Sequence, residues 1–139
     1  MRFAASLFAL LSLSAPAFAA CVDGADGPQR APFEILKASV LNGDFESAAS
    51  QIDLGGNREN EIVAALSRLG RAGVTSFEHC ILLRRQMHSP NFTSEIVYYT
   101  DGADREYWLL ISGVQIDGET RLIDVQLSES YKRFREWLQ

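Results

Sequence analysis

Cysteine, histidine and methionine each occur only twice in the 139 residues. That scarcity bounds the chemistry. His79 and His88 have no metal-ligand spacing, and the acidic residues near them fall on separate elements. No zinc site, no other metal and no cofactor is expected from such a set. Positive charge is also in short supply. The formal net charge is −5, Arg2 is the one basic residue before position 20, and every acidic residue comes later, so the remainder of the chain is more acidic still. That balance argues against nucleic acid or an anionic membrane as the main partner. It leaves room for an acidic ligand held by a local basic cluster. Long apolar runs are missing after residue 13, so no transmembrane segment is expected once the N-terminus is removed. There is no internal repeat and no low-complexity tract.

The N-terminus itself reads as an export signal. Arg2 precedes the apolar run FAASLFALLSL at 3–13, and Ala17-Phe18-Ala19 is a small-x-small cleavage site. The run falls short of the roughly 20 residues that span a bilayer. Ser14-Ala15-Pro16 breaks it where a signal needs an extended cleavage region. Residues 1–19 are therefore assigned to a signal peptide, and the mature protein to the bacterial periplasm or the exterior.

Cys21 follows directly. A lipoprotein box places a bulky aliphatic residue three before the cysteine, where this chain has Phe18-Ala19-Ala20-Cys21. Lipid anchorage through Cys21 would leave Cys80 unpaired in an oxidising compartment. A Cys21–Cys80 disulfide uses both thiols. In the chain-entropy picture a loop of that length is worth about 4 kcal/mol. The disulfide is the expectation and lipidation the alternative.

The mature chain has the length of one small domain. Residues 20–31 are polar and Gly-containing and read as an extended arm, with a single domain over 32–139. Pro32 suits a first helical turn, and Phe33, Leu36 and Val40 recur at helical spacing. Asn42-Gly43 stops that helix and Asp44 caps the next, whose stripe is Phe45, Ala48, Ala49 and Ile52. A third helix is predicted near 59–69, ended by Gly70 and Gly73. From about Ser76 the period becomes two, although FEHCILLRRQM also reads as helix. Ser89-Pro90-Asn91 turns the chain, 92–100 is a β-rich strand, 101–104 a hairpin loop, 106–116 the most apolar strand, and Asp117-Gly118 a hairpin turn into 120–127. A short helix is predicted within 130–139. Helices followed by an antiparallel meander give an α+β domain, with helices packed on a curved sheet of about four strands.

The helical pair FEILKASVLNGDFESAASQID and the strand run REYWLLISGVQIDGETRLIDVQL resemble, in order of elements, the ketosteroid-isomerase-like or nuclear-transport-factor-like cone-shaped domains. The resemblance implies a fold and a cavity rather than a reaction, because such folds host enzymes, binders and assembly modules.

Candidate site residues come from the strands. Leu122, Asp124 and Gln126 share one face in the alternation, and Ile123, Val125 and Leu127 the other. A carboxylate facing an apolar concavity becomes more basic, so Asp124 is the candidate general base, with Tyr99 as its hydroxyl partner. Otherwise Asp124 faces solvent or pairs with Arg84, Arg85 or Arg121. Arg85, Tyr99, Ser112 and Asp124 form the candidate ligand set. Arg84 and Arg85 are expected on opposite strand faces, as are His79 and Cys80, which removes a thiol–imidazole pair. With no catalytic constellation beyond Asp124, the expected function is a non-catalytic exported module binding a protein or small molecule. The alternative is a small isomerase or hydrolase with Asp124 as base.

Overall fold

The computed structural model describes residues 20–139; the expected signal peptide lies outside the described residues. Helix α1 (Ala31–Leu41) begins with Pro32 in its first turn and ends at Asn42-Gly43. Gly43 has a positive φ and lies so close to the Thr75 carbonyl that no Cβ fits. Helix α2 (Phe45–Ser50) is capped by Asp44, whose Oδ1 accepts from Ser47 N at 3.1 Å. Helix α3 (Gly56–Arg71) starts three residues earlier than its apolar stripe predicts. Gly70 sits inside it rather than ending it, and the left-handed Gly73 follows its end.

A short strand β1 (Val22–Asp23) lies in the arm. Four long strands make up the second half: β2 (His79–Ser89), β3 (Phe92–Thr100), β4 (Glu106–Ile116) and β5 (Glu119–Ser128), followed by helix α4 (Tyr131–Trp137). The sheet order is β1-β2-β3-β4-β5. The meander is antiparallel throughout, and β1 adds in parallel beside β2, Val22 opposite Ile81 and Asp23 opposite Leu82. The arm therefore supplies a fifth strand to the expected four. Asp117 and Gly118 both take positive φ, the geometry of a tight two-residue hairpin turn.

The β3–β4 register is unbroken, so the two faces are unambiguous. Glu95, Val97 and Tyr99 of β3 and Tyr107, Leu109 and Ile111 of β4 face the helices, where Phe33, Leu36, Val40 and Leu66 close the core. Gly113 continues that face, and a Cβ there would come within 2.7 Å of Phe33 Cε1. Phe33 thus seats on bare backbone. The opposite face carries Ile96, Tyr98, Trp108 and Leu110, and Phe134 of α4 stacks on Trp108 at 5.2 Å. It is the smaller of two apolar clusters.

Three register shifts interrupt the ladders, one of them near the end of β2 between Met87 and Ser89, and the other two re-phase candidate residues. Leu82 pairs with Val97 and Arg84 with Ile96, which leaves Leu83 unpaired. Leu122 pairs with Gly113 and Asp124 with Ser112, which leaves Ile123 unpaired. Each extra residue reverses the in–out alternation beyond it. The predicted apolar face Ile123-Val125-Leu127 is corrected accordingly. Ile123 is 39% exposed, and Leu122 joins Val125 and Leu127 on the core.

Candidate functional site

The four candidate ligand residues do not converge. Arg85 and Tyr99 lie on the concave face, Ser112 and Asp124 on the convex face, and a sheet thickness separates the pairs. Asp124 is half-buried opposite Ser112 and accepts a hydrogen bond from Gln126 Nε2 at 2.7 Å. It pairs with none of Arg84, Arg85 or Arg121. Tyr99 is fully buried, and its hydroxyl donates to the Lys37 carbonyl at 3.3 Å. Burial pushes that hydroxyl well above the usual tyrosine range, and the charges of Glu34 and Glu95 add to the effect. It stays a neutral donor, out of reach of Asp124.

Arg84 and Arg85 do point to opposite faces. Arg84 donates to the Leu138 carbonyl at 2.9 Å, tying the C-terminus to β2. Arg85, its side chain 1% exposed, enters the interior because the Leu83 bulge turns it inward. There it meets a charged chain built from four elements. Asp23 of β1 takes Arg85 Nη2 at 2.8 Å, and Glu95 of β3 takes Arg85 Nε at 2.7 Å. The other Glu95 oxygen takes Lys37 Nζ of α1 at 2.8 Å, and Lys37 also contacts Glu34 one turn earlier. Glu34 Oε2 accepts in turn from the Ala20 backbone N–H at 3.3 Å. Lys37 and Glu95 are fully buried. Ions this deep must be paired to remain, since an unpaired buried charge costs several kcal/mol. Against the opposing effect of burial, the Arg85 guanidinium and the Ala25 N–H hold the Asp23 carboxyl below its usual range, and Asp23 and Glu95 raise Arg85 in return.

The arm closes over this chain. Arg85 Nη1 donates to the carbonyls of Ala25 and Gly27, and the Cys21–Cys80 disulfide joins arm to β2 with Cα atoms 4.6 Å apart. The concave face is consequently filled by Phe33, Lys37, Glu95 and Tyr99 and roofed by the arm. Asp23, Glu34, Lys37 and Glu95 were not among the sequence-derived candidates. Lys37 lies within the Phe33-Leu36-Val40 stripe and Glu95 between β-formers; a charge embedded in an apolar pattern is the available signal.

The open space lies elsewhere. A cleft of about 780 Å³ runs between β5 and α3, with Arg58 and Arg68 on the helix, Arg133 of α4 at one side, and Asp124 to Leu127 as its strand wall. Among the described residues no cluster of side chains has the make-up of a metal site, and no helix is long and apolar enough to cross a membrane.

No protein-family profile matches the chain, and no curated protein matches it as a relative. A crystal structure of a domain of unknown function with a cystatin-like fold, from Nostoc punctiforme, is similar over 78% of this chain and 79% of that one, with a TM-score of 0.51 and 14% sequence identity. Likeness at that identity speaks for the fold alone. The chain shares with that domain an α+β architecture; in this chain the helices α1–α3 precede the antiparallel meander.

Proposed function

We propose that this protein is an exported module of the cell envelope that binds a partner through its outer surface and performs no catalysis. One observation carries the reading: the concave face, where a cone-shaped domain would hold a small molecule, is filled by the protein's own side chains. Phe33, Lys37, Glu95 and Tyr99 are each fully buried there. The disulfide and the leader-like N-terminus support export. In this reading the cone shape, which resembles the ketosteroid-isomerase-like domains, serves as a scaffold. Catalysis by Asp124 with Tyr99 would require both to share one space, and they occupy opposite faces of the sheet.

The test uses a photo-crosslinking amino acid placed at exposed Glu61 or Tyr131, and at buried Val97, in the full chain expressed with its leader. Discrete adducts by intact mass are expected from the outer positions and none from Val97. A small-molecule adduct at Val97 with none outside would overturn the reading. So would turnover of any substrate that Asp124→Asn abolishes.

A further inference from the structure

Four consecutive β5 residues, Asp124 to Leu127, wall the α3–β5 cleft. Consecutive strand residues point to opposite faces, so a cleft that touches all four runs along the strand's margin. That margin is free: β5 has β4 on one side and no strand on the other among the described residues. Over Asp124–Leu127, the backbone N–H and C=O groups not paired with β4 therefore lie along the cleft. The far wall is one face of α3, along which Asn57, Glu61, Ala65 and Arg68 recur at helical spacing beside Arg58. Arg58, Arg68 and Arg133 are exposed, and none is paired with a carboxylate among the described residues.

The geometry points to a docking groove for an extended, acidic peptide segment of a partner protein, which adds to the β5 edge as a sixth strand. This rests on the interaction-module reading and names its partner's chemistry. An unpaired strand edge facing a helix is the arrangement into which an extended chain fits, with main-chain hydrogen bonds for affinity and side chains for choice. The charges choose. Arg58 and Arg68 are ten residues apart on one helix, about 15 Å along its axis. In an extended chain, residues four apart on one face are separated by about 13–14 Å. Two acidic residues at that spacing meet both arginines at once, and Arg133 completes the cationic rim. A second copy of this chain is the poorer occupant, because edge-to-edge pairing of β5 with β5 brings the two arginine sets toward each other.

The probe is the peptide acetyl-Thr-Glu-Val-Thr-Val-Glu-Thr-amide, titrated into the isotopically labelled mature protein at low salt. Three comparison peptides accompany it: one with Lys replacing Glu, and two with N-methyl groups on alternate residues in either phase. Saturable shifts of the Asp124–Leu127 amides and of α3 are expected with the acidic peptide. The Lys peptide should leave them unmoved, and one N-methyl phase should abolish binding. Arg58→Glu combined with Arg68→Glu should weaken binding at least about tenfold, with the rest of the amide spectrum retained. The proposal is overturned if the Lys peptide binds equally, if both N-methyl peptides bind like the parent, or if the shifts fall on β2 and β3 with Asp124–Leu127 and α3 unmoved. Sedimentation as a dimer through β5 would overturn the choice of occupant. Loss of the groove with outer crosslinks intact removes this site and leaves the interaction module standing; loss of both removes the module.

Discussion

Arginine serves two opposite ends in this molecule. On the concave side Arg85 is completely engaged, with Asp23, Glu95 and two carbonyls of the arm as its acceptors. In the α3–β5 groove Arg58, Arg68 and Arg133 stand in solvent with no carboxylate partner among the described residues. The contrast separates charge that holds the fold from charge left available to a partner. A buried charge is fixed by its counterions and cannot be removed singly. An exposed one contributes little to stability and much to encounter and choice of partner.

The widest separation between the two regions should come from Lys37. Lys37→Ala leaves Glu34 without its cation and Glu95 with Arg85 as its sole cationic partner, and a loss of about 3–5 kcal/mol is expected in chemical denaturation. A loss comparable to that of Arg68→Ala, within about 0.5 kcal/mol of zero, would erase the distinction. Next comes the staple. Replacing Cys21 and Cys80 together by Ser should cost about 2–5 kcal/mol and loosen the arm. Native protein should resist alkylation until reduced, and ready labelling of both thiols without reductant would contradict the bond.

The Asp23–Arg85 pair sharpens the comparison through pH. Because the folded Asp23 value is lowered, its contribution is complete above the ordinary aspartate value of about 3.9 and is lost as pH falls through the lower folded value. Hydrogen exchange at Val22 and Asp23 should accelerate in that acid window, and Asp23→Asn should flatten the response. Exchange in α3 should not follow it. The smallest effect belongs to Asp124→Asn, where one hydrogen bond to Gln126 is altered on a half-buried edge. A change of about 0–1 kcal/mol is expected, with the fold retained by circular dichroism.

Much of this architecture is legible in the residues. The strands at 92–100 and 106–116 have the bounds their β-rich and apolar composition predicts, and the Asp117-Gly118 turn and the Asp44 cap follow from local chemistry. The cysteine pair follows from there being only two thiols in a chain whose N-terminus reads as an export signal. The bulges do not announce themselves. Either neighbour of Leu83 or Ile123 could take the extra place by composition, and the choice rests on what the core accepts. The Leu83 bulge turns Arg85 in and the Ile123 bulge turns Asp124 out, while the unbroken β3–β4 register keeps Tyr99 and Ser112 on opposite faces, so the candidate set Arg85, Tyr99, Ser112 and Asp124 is divided. The ion chain was hidden for another reason. Lys37 and Glu95 are 58 positions apart, and no local pattern joins them. Each alone reads as a solvated charge.

The arm's short strand has a further consequence. A sheet with two open margins can be extended at both and so can polymerise without limit. Here one margin carries a covalently fastened terminator, Val22–Asp23 bolted to β2 through Cys21 and Cys80. The cover is short, two residues against the eleven of β2, so it blunts that margin at Ile81–Leu82 and does not close it. β5 carries no such cover among the described residues, so the two ends of one sheet differ: one is tethered in part to the chain's own arm, and the other is open along its length to strand pairing.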